Sequence, residues 1–102
     1  MIVTILEAHV APEKEGVLRQ AFAELTMRDL PDGLIETFLL RDPNDPARWR
    51  LASVWTSEAA PAAAAATGRG AGGASVFREA GAEPTAAVWE VAGRAPAAAP
   101  HR

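Results

Sequence analysis

Cysteine is absent from this chain of 102 residues, which removes three chemistries at once: a disulfide framework, a thiol nucleophile and a thiolate metal site. Nor does any run approach the ~20 consecutive apolar residues that a membrane span requires. The opening, MIVTILEAHV, has no basic residue before its apolar stretch and meets Glu7 too early for a signal peptide. Basic clusters are missing as well. Ten Lys and Arg are scattered among 13 Asp and Glu, for a formal net charge of −3. Duplex nucleic acid and anionic membrane surfaces both need a concentrated basic footprint, so neither is an expected partner. A cytoplasmic protein is the expectation.

What is present is one modest core. Hydrophobic residues make up 49% of the chain, but many are alanines in residues 59–66 and 95–99, which add little buried area. A domain of this size with a half-filled core commonly gains further burial by pairing with a copy of itself, so a homodimer is expected. The stretch LIETFLLRDPNDPARWRLASVW, residues 34–55, holds two apolar runs around a proline- and aspartate-rich turn. It reads as a β-hairpin with a rigid multi-residue loop over residues 42–46.

Residues 2–10 read as a strand, with Ile2, Thr4, Leu6, Ala8 and Val10 on one face and Val3, Ile5, Glu7 and His9 on the other. Pro12, Glu13 and Glu15 open a helix whose stripe is Val17, Leu18, Ala21, Phe22 and Leu25. Pro31-Asp32-Gly33 turns the chain into the hairpin. A second helix is expected after an N-cap at Ser57, running through the alanines to Thr67. Residues 75–80 form a short helix presenting Val76 and Phe77 to the core, with Gly81 as its C-cap, and residues 85–91 the last strand. Residues 93–102 have no apolar periodicity and read as a disordered tail, leaving 1–92 as the domain.

The order β-α-β-β-α-α-β is that of an α+β, ferredoxin-like βαββαβ fold, a four-stranded antiparallel sheet with helices on one face. Both faces of every strand carry large apolar groups, so two such sheets packed face to face would close a barrel.

Two local patterns have plainer explanations. Residues 68–73 satisfy G-x-G-x-x-G but follow a helix rather than a strand, so they read as a flexible lid or linker, not a dinucleotide loop. Asp42, Asn44 and Asp45 lack the EF-hand glycine and terminal glutamate, and turn chemistry accounts for them. No metal site is expected.

The chain resembles the antibiotic biosynthesis monooxygenase domain of the dimeric α+β barrel superfamily in MIVTILEAHVAPEKE, in RDPNDPARWRLASVWTSEAA, and in VFREAG before a strand ending AVWEV. The resemblance implies oxidation of small aromatic, quinol- or polyketide-like molecules by O2 with no metal or flavin, the substrate itself supplying the electrons. It also implies a site built from a tryptophan, an asparagine four residues before it, a tyrosine six residues after it, a histidine ending the second strand and an arginine in the last short helix. Trp55 and Arg78 match; Leu51, Pro61 and Arg41 stand at the other three positions. Leucine and proline offer no side-chain proton. The haem-degrading branch uses a histidine on the later helix, and the only histidines here are His9 and His101.

On this basis Trp55, Arg78 and His9 are the candidate catalytic residues, His9 as a general base. Glu7, Thr37, Arg41, Trp49, Leu51 and Ser53 are the candidate cavity lining, with no cofactor. Each has a plainer role beside it. Trp55 suits core packing, Arg78 a helix end, and His9 a pair with Glu7. Three functions stay open: an oxygenase, a non-catalytic barrel binding a small hydrophobic ligand, and a structural accessory whose interior is filled by its own side chains.

Overall fold

The computed structural model describes residues 1–28, 30–66 and 72–95. Among these residues the elements follow one another as β1 (Ile2–His9), a 3-10 turn (Pro12–Lys14), α1 (Glu15–Thr26), β2 (Leu34–Asp42), β3 (Asp45–Trp55), α2 (Ala59–Ala66), α3 (Gly72–Glu79) and β4 (Thr85–Glu90). The strands form one antiparallel sheet in the order β2-β3-β1-β4, the ferredoxin-like arrangement.

Register decides what each face carries. In the β1–β3 ladder Ile2 opposes Trp55, Leu6 opposes Leu51 and Ala8 opposes Trp49, so the even positions of β1 and the odd positions of β3 share one face. That face meets the helices. Leu18 and Ala21 of α1, Val76 and Phe77 of α3, and Ala8, Val10, Trp49 and Leu51 of the sheet form the main buried cluster. Leu18 and Phe77 are completely buried. A smaller cluster at the other end joins Ile2 and Trp55 with Leu34 and Ala60.

Several local expectations change. Val17 is exposed, because the stripe of α1 that faces the sheet runs through Leu18, Ala21, Phe22 and Leu25. The hairpin loop is short: Asp42 pairs with Asp45, leaving Pro43 and Asn44 as the turn. The Asp42 carboxylate accepts from the Asn44 amide at 2.8 Å, and that of Asp45 from the Ala47 amide at 3.1 Å, so these acids are occupied in turn geometry. Pro46 fits inside β3 because the ladder with β2 is irregular there, passing from the 42–45 pair to the 41–49 pair. Residues 67–71, most of the G-x-G-x-x-G stretch, lie outside the described residues, while Gly72 and Gly73 open α3.

The C-terminus of α3 follows its sequence signal. Gly81 has φ +77°, its amide donates to the Arg78 carbonyl, and the Ala82 amide donates to Phe77, both at 3.0 Å. This is a Schellman cap, and it delivers the chain into β4. Gly33 has the other positive φ, +85°; a Cβ there would come within 2.6 Å of the Ala60 Cβ, so the glycine lets α2 seat against the turn before β2. No helix among the described residues is long and apolar enough to cross a membrane.

Candidate functional site

The two buried clusters do not meet tightly, and between them lies a cavity of about 200 Å³. Its floor is the helix-side face of the sheet: Thr4 and Leu6 from β1, Leu51, Ser53 and Trp55 from β3, and Thr37 from β2. Leu25 of α1, the Leu30-Pro31 turn, Pro61 of α2 and Gly73 of α3 roof it, and β4 forms the rim through Ala86 and Val88. Space exists here for a local reason. α3 begins with glycines, and a Cβ on Gly73 would already press within 3.1 Å of Leu6 and 3.4 Å of Leu51, so no side chain fills the gap from above. Val88 is 65% exposed, which makes the β4 edge the mouth.

The polar groups in the cavity are hydroxyls and one indole. The Trp55 Nε1–H donates to Thr4 Oγ1 at 2.9 Å, which fixes the ring where it lines the cavity. Thr37 Oγ1 and Ser53 Oγ, cross-strand partners in the β2–β3 ladder, lie 3.0 Å apart. No charged side chain lines the cavity among the described residues. A site of this kind can hold an apolar molecule and offers it the Ser53–Thr37 hydroxyl pair and the remaining hydrogen of Thr4; among the described residues it holds no strong acid or base of its own.

Of the residues singled out from sequence, Trp55, Leu51, Ser53 and Thr37 come together here, along with Pro61. The others lie elsewhere. Trp49 is on the same face but 2% exposed in the main core, with the Arg19 and Arg41 guanidinium carbons 5.3 and 5.7 Å from its ring centre. Glu15 accepts from Arg19 at 2.9 Å and from Arg41 at 3.4 Å, and its carboxyl is held below the usual range chiefly by the Arg19 bond. Glu7 and His9 occupy the opposite face. Glu7 accepts from its cross-strand partner Arg50 at 2.6 Å and from Arg48 at 3.2 Å, bonds that lower its pKa in that order. His9 is exposed, 3.7 Å from Asp45. Arg78 sits on the outer side of α3 and grips Glu83 through two bonds, of 3.0 and 3.1 Å. Thr4, Leu25, Pro31, Leu34 and Val88 line the cavity without having been expected there. The one available clue was Trp55 itself, since a buried indole N–H needs an acceptor nearby. No group of three or more His, Cys, Asp and Glu capable of holding a metal ion occurs among the described residues.

Comparison with known proteins places this fold. No curated protein matches the chain in sequence. Solved structures match in fold: a candidate antibiotic biosynthesis monooxygenase from Deinococcus radiodurans is 16% identical with a TM-score of 0.74, over 98% of this chain and 100% of that one. SnoaB, a cofactor-independent oxygenase from Streptomyces nogalater, is 19% identical with a TM-score of 0.67, over 94% of this chain and 97% of that one. A conserved protein from Methanosarcina mazei is 15% identical with a TM-score of 0.70, over 86% and 89%. The family model for antibiotic biosynthesis monooxygenase matches residues 1–69, the stretch that carries β1 to α2 and the whole cavity floor. The chain belongs to the antibiotic biosynthesis monooxygenase family.

Proposed function

We propose that this protein is a cofactor-independent monooxygenase that oxidises a small aromatic, quinol-like molecule with O2. The observation that carries this reading is the apolar cavity walled by the fixed Trp55 ring and furnished with the Ser53–Thr37 hydroxyl pair. The balance needs no external reductant: a substrate RH2 gives RO and water, one oxygen atom entering the ring and the substrate supplying all four electrons. Trp55 holds the ring, the hydroxyl pair donates to the oxygen on which negative charge develops, and the dry walls protect the reduced oxygen species. Oxygen uptake with a panel of hydroquinones and anthrones tests it. Turnover above background is expected in wild type and reduced in Trp55→Phe, while no turnover across the panel removes the reading for those substrates.

A second copy of the chain completes the assembly we propose. Helices cover one sheet face, whereas the other presents Val3, Ile5, Phe38, Leu40, Val54 and Trp89, with Phe38 41% and Trp89 62% exposed. Apolar residues spread over a sheet face favour burial against a matching one, and a homodimer joined there would be a barrel.

The absence of any carboxylate, imidazole or amine from the lining, among the described residues, favours a second reading, ligand binding without chemistry. Saturable binding in the absence of turnover would select it.

A further inference from the structure

We infer that the cavity selects an uncharged, single-ring aromatic molecule bearing a hydroxyl or carbonyl oxygen, and that Ser53 with Thr37 is the pair that reads that oxygen. The inference rests on the cavity being the substrate site, and it narrows what the site accepts. Size comes first. An apolar cavity of ~150 Å³ is known to hold benzene, so one of about 200 Å³ holds a ring with one or two small substituents. Three fused rings would extend past the open β4 edge into water.

Charge comes second. With no cation among the described lining residues, an anionic ligand would lose its hydration and gain only neutral hydroxyl donors in place of an opposite charge, and a cation would face no carboxylate. Arg41, Arg48 and Arg50 do not alter this. Arg41 is committed to Trp49 and Glu15, and Arg48 and Arg50 to Glu7 on the far face of the sheet.

Hydrogen bonding comes third. The Trp55 donor is already used by Thr4, so the indole offers the ligand only its face. The Ser53–Thr37 pair is different. Each hydroxyl carries one hydrogen, and only one hydrogen can lie between two oxygens 3.0 Å apart. The other is left for an acceptor, and the oxygens retain lone pairs for a donor. Ser53 is 6% exposed, so this unspent capacity is turned away from bulk water. A phenolic hydroxyl or a ring carbonyl fits it, and a bare hydrocarbon leaves it unmet.

Dissociation constants for the full-length protein, measured by calorimetry under nitrogen so that no turnover intervenes, test the inference with four probes. Expected is 4-methylphenol tighter than toluene by about three- to tenfold, the yield of one net neutral hydrogen bond. At pH 7, 4-methylbenzoate should bind at least about tenfold more weakly than 4-methylphenol, as an unpaired buried charge requires. Anthrone, with three rings, should also be weaker than 4-methylphenol. In Ser53→Ala/Thr37→Val the preference for 4-methylphenol over toluene should vanish with toluene affinity retained. Equal binding of toluene and 4-methylphenol by wild type, benzoate binding as tight as phenol binding, or a preference that survives the double substitution would each overturn it. The wild-type ratios decide even where the double variant does not fold. Phenol preference without oxygen uptake removes the oxygenase reading and leaves this one standing; oxygen uptake without phenol preference does the reverse.

Discussion

The bond from Trp55 to Thr4 offers a quantitative test of how the site is held together. Trp55 is 6% exposed and packed among Ile2, Leu34 and Ala60, and its one polar hydrogen goes to Thr4 Oγ1 at 2.9 Å. Thr4→Val keeps the shape and removes the acceptor. A buried donor left unmet costs about 1–3 kcal/mol, more than the net worth of a made bond, because its desolvation is no longer offset. In a Trp55→Phe background there is no donor to strand, so the same substitution should be nearly neutral. The two single variants and the double variant therefore form a cycle with an expected coupling of about 1–2 kcal/mol. For domains near this size each kcal/mol moves Tm by roughly 4–8 °C, so the effect is visible in thermal melts as well as in urea. Far-UV circular dichroism suits the assay because Trp55→Phe alters the fluorescence. Protein concentration must be held fixed, since the proposed dimer would make Tm concentration-dependent. Additivity of the two substitutions within about 0.3 kcal/mol would refute the reasoning: the hydroxyl would then contribute nothing to holding the indole.

Two further predictions concern the open face of the sheet. Light scattering on a size-exclusion peak should give a dimer for wild type and a monomer for Trp89→Glu, which places a carboxylate on an apolar face; a wild-type monomer at micromolar concentration would contradict the proposed assembly. Glu7 predicts a pH dependence. Its folded pKa lies below the ordinary value of 4.5, because Arg50 and then Arg48 hydrogen-bond the carboxylate, so its contribution to stability is present above that value and is lost as pH falls through the folded pKa. Tm should thus fall less between pH 5 and 3 in Glu7→Gln than in wild type, although not flatten, since Glu15 and Glu83 are lowered by their own arginine partners. Identical slopes would show that the pair contributes nothing.

The fold was readable because its signals are local: alternation in β1, the stripe of α1, and Gly81 placed to end α3 after Val76 and Phe77. The site was only half readable, for two physical reasons. Alternation tells which residues of a strand share a face but not which face the helices cover, and both faces of β1 are apolar at the Ile2 end, so Glu7 and His9 stayed eligible although they turn away from the cavity. Alternation also says nothing of position along the strand. Trp49 and Trp55 share a face, yet six residues of β-strand separate them by about 20 Å. Leu18 and Phe77 close the Trp49 end, while Gly73 of α3, having no side chain, leaves space at the Trp55 end. Thr4 was invisible for a related reason: its link to Trp55 depends on the β1–β3 register, which neither strand specifies alone.

The composition of the cavity also decides where the proton goes in the proposed reaction. Oxidation by O2 needs a substrate that has lost a proton, yet the described lining offers only hydroxyls, which have no useful basicity at neutral pH, and an indole whose N–H is already committed. Leu51 and Pro61, both in the lining, add no proton acceptor. The neutral form then binds, and its proton is lost to solvent at the open β4 edge rather than to a side chain of the lining. For such a reaction kcat/KM should rise tenfold per pH unit and level off at the substrate's own solution pKa, because kcat/KM reports ionisations of the free species. The test is a series of quinols whose substituents move that pKa by two to three units: the break should move with them. A break that stays at one pH across the series would belong to a group on the protein, and would show that a base reaches the substrate from outside the described lining.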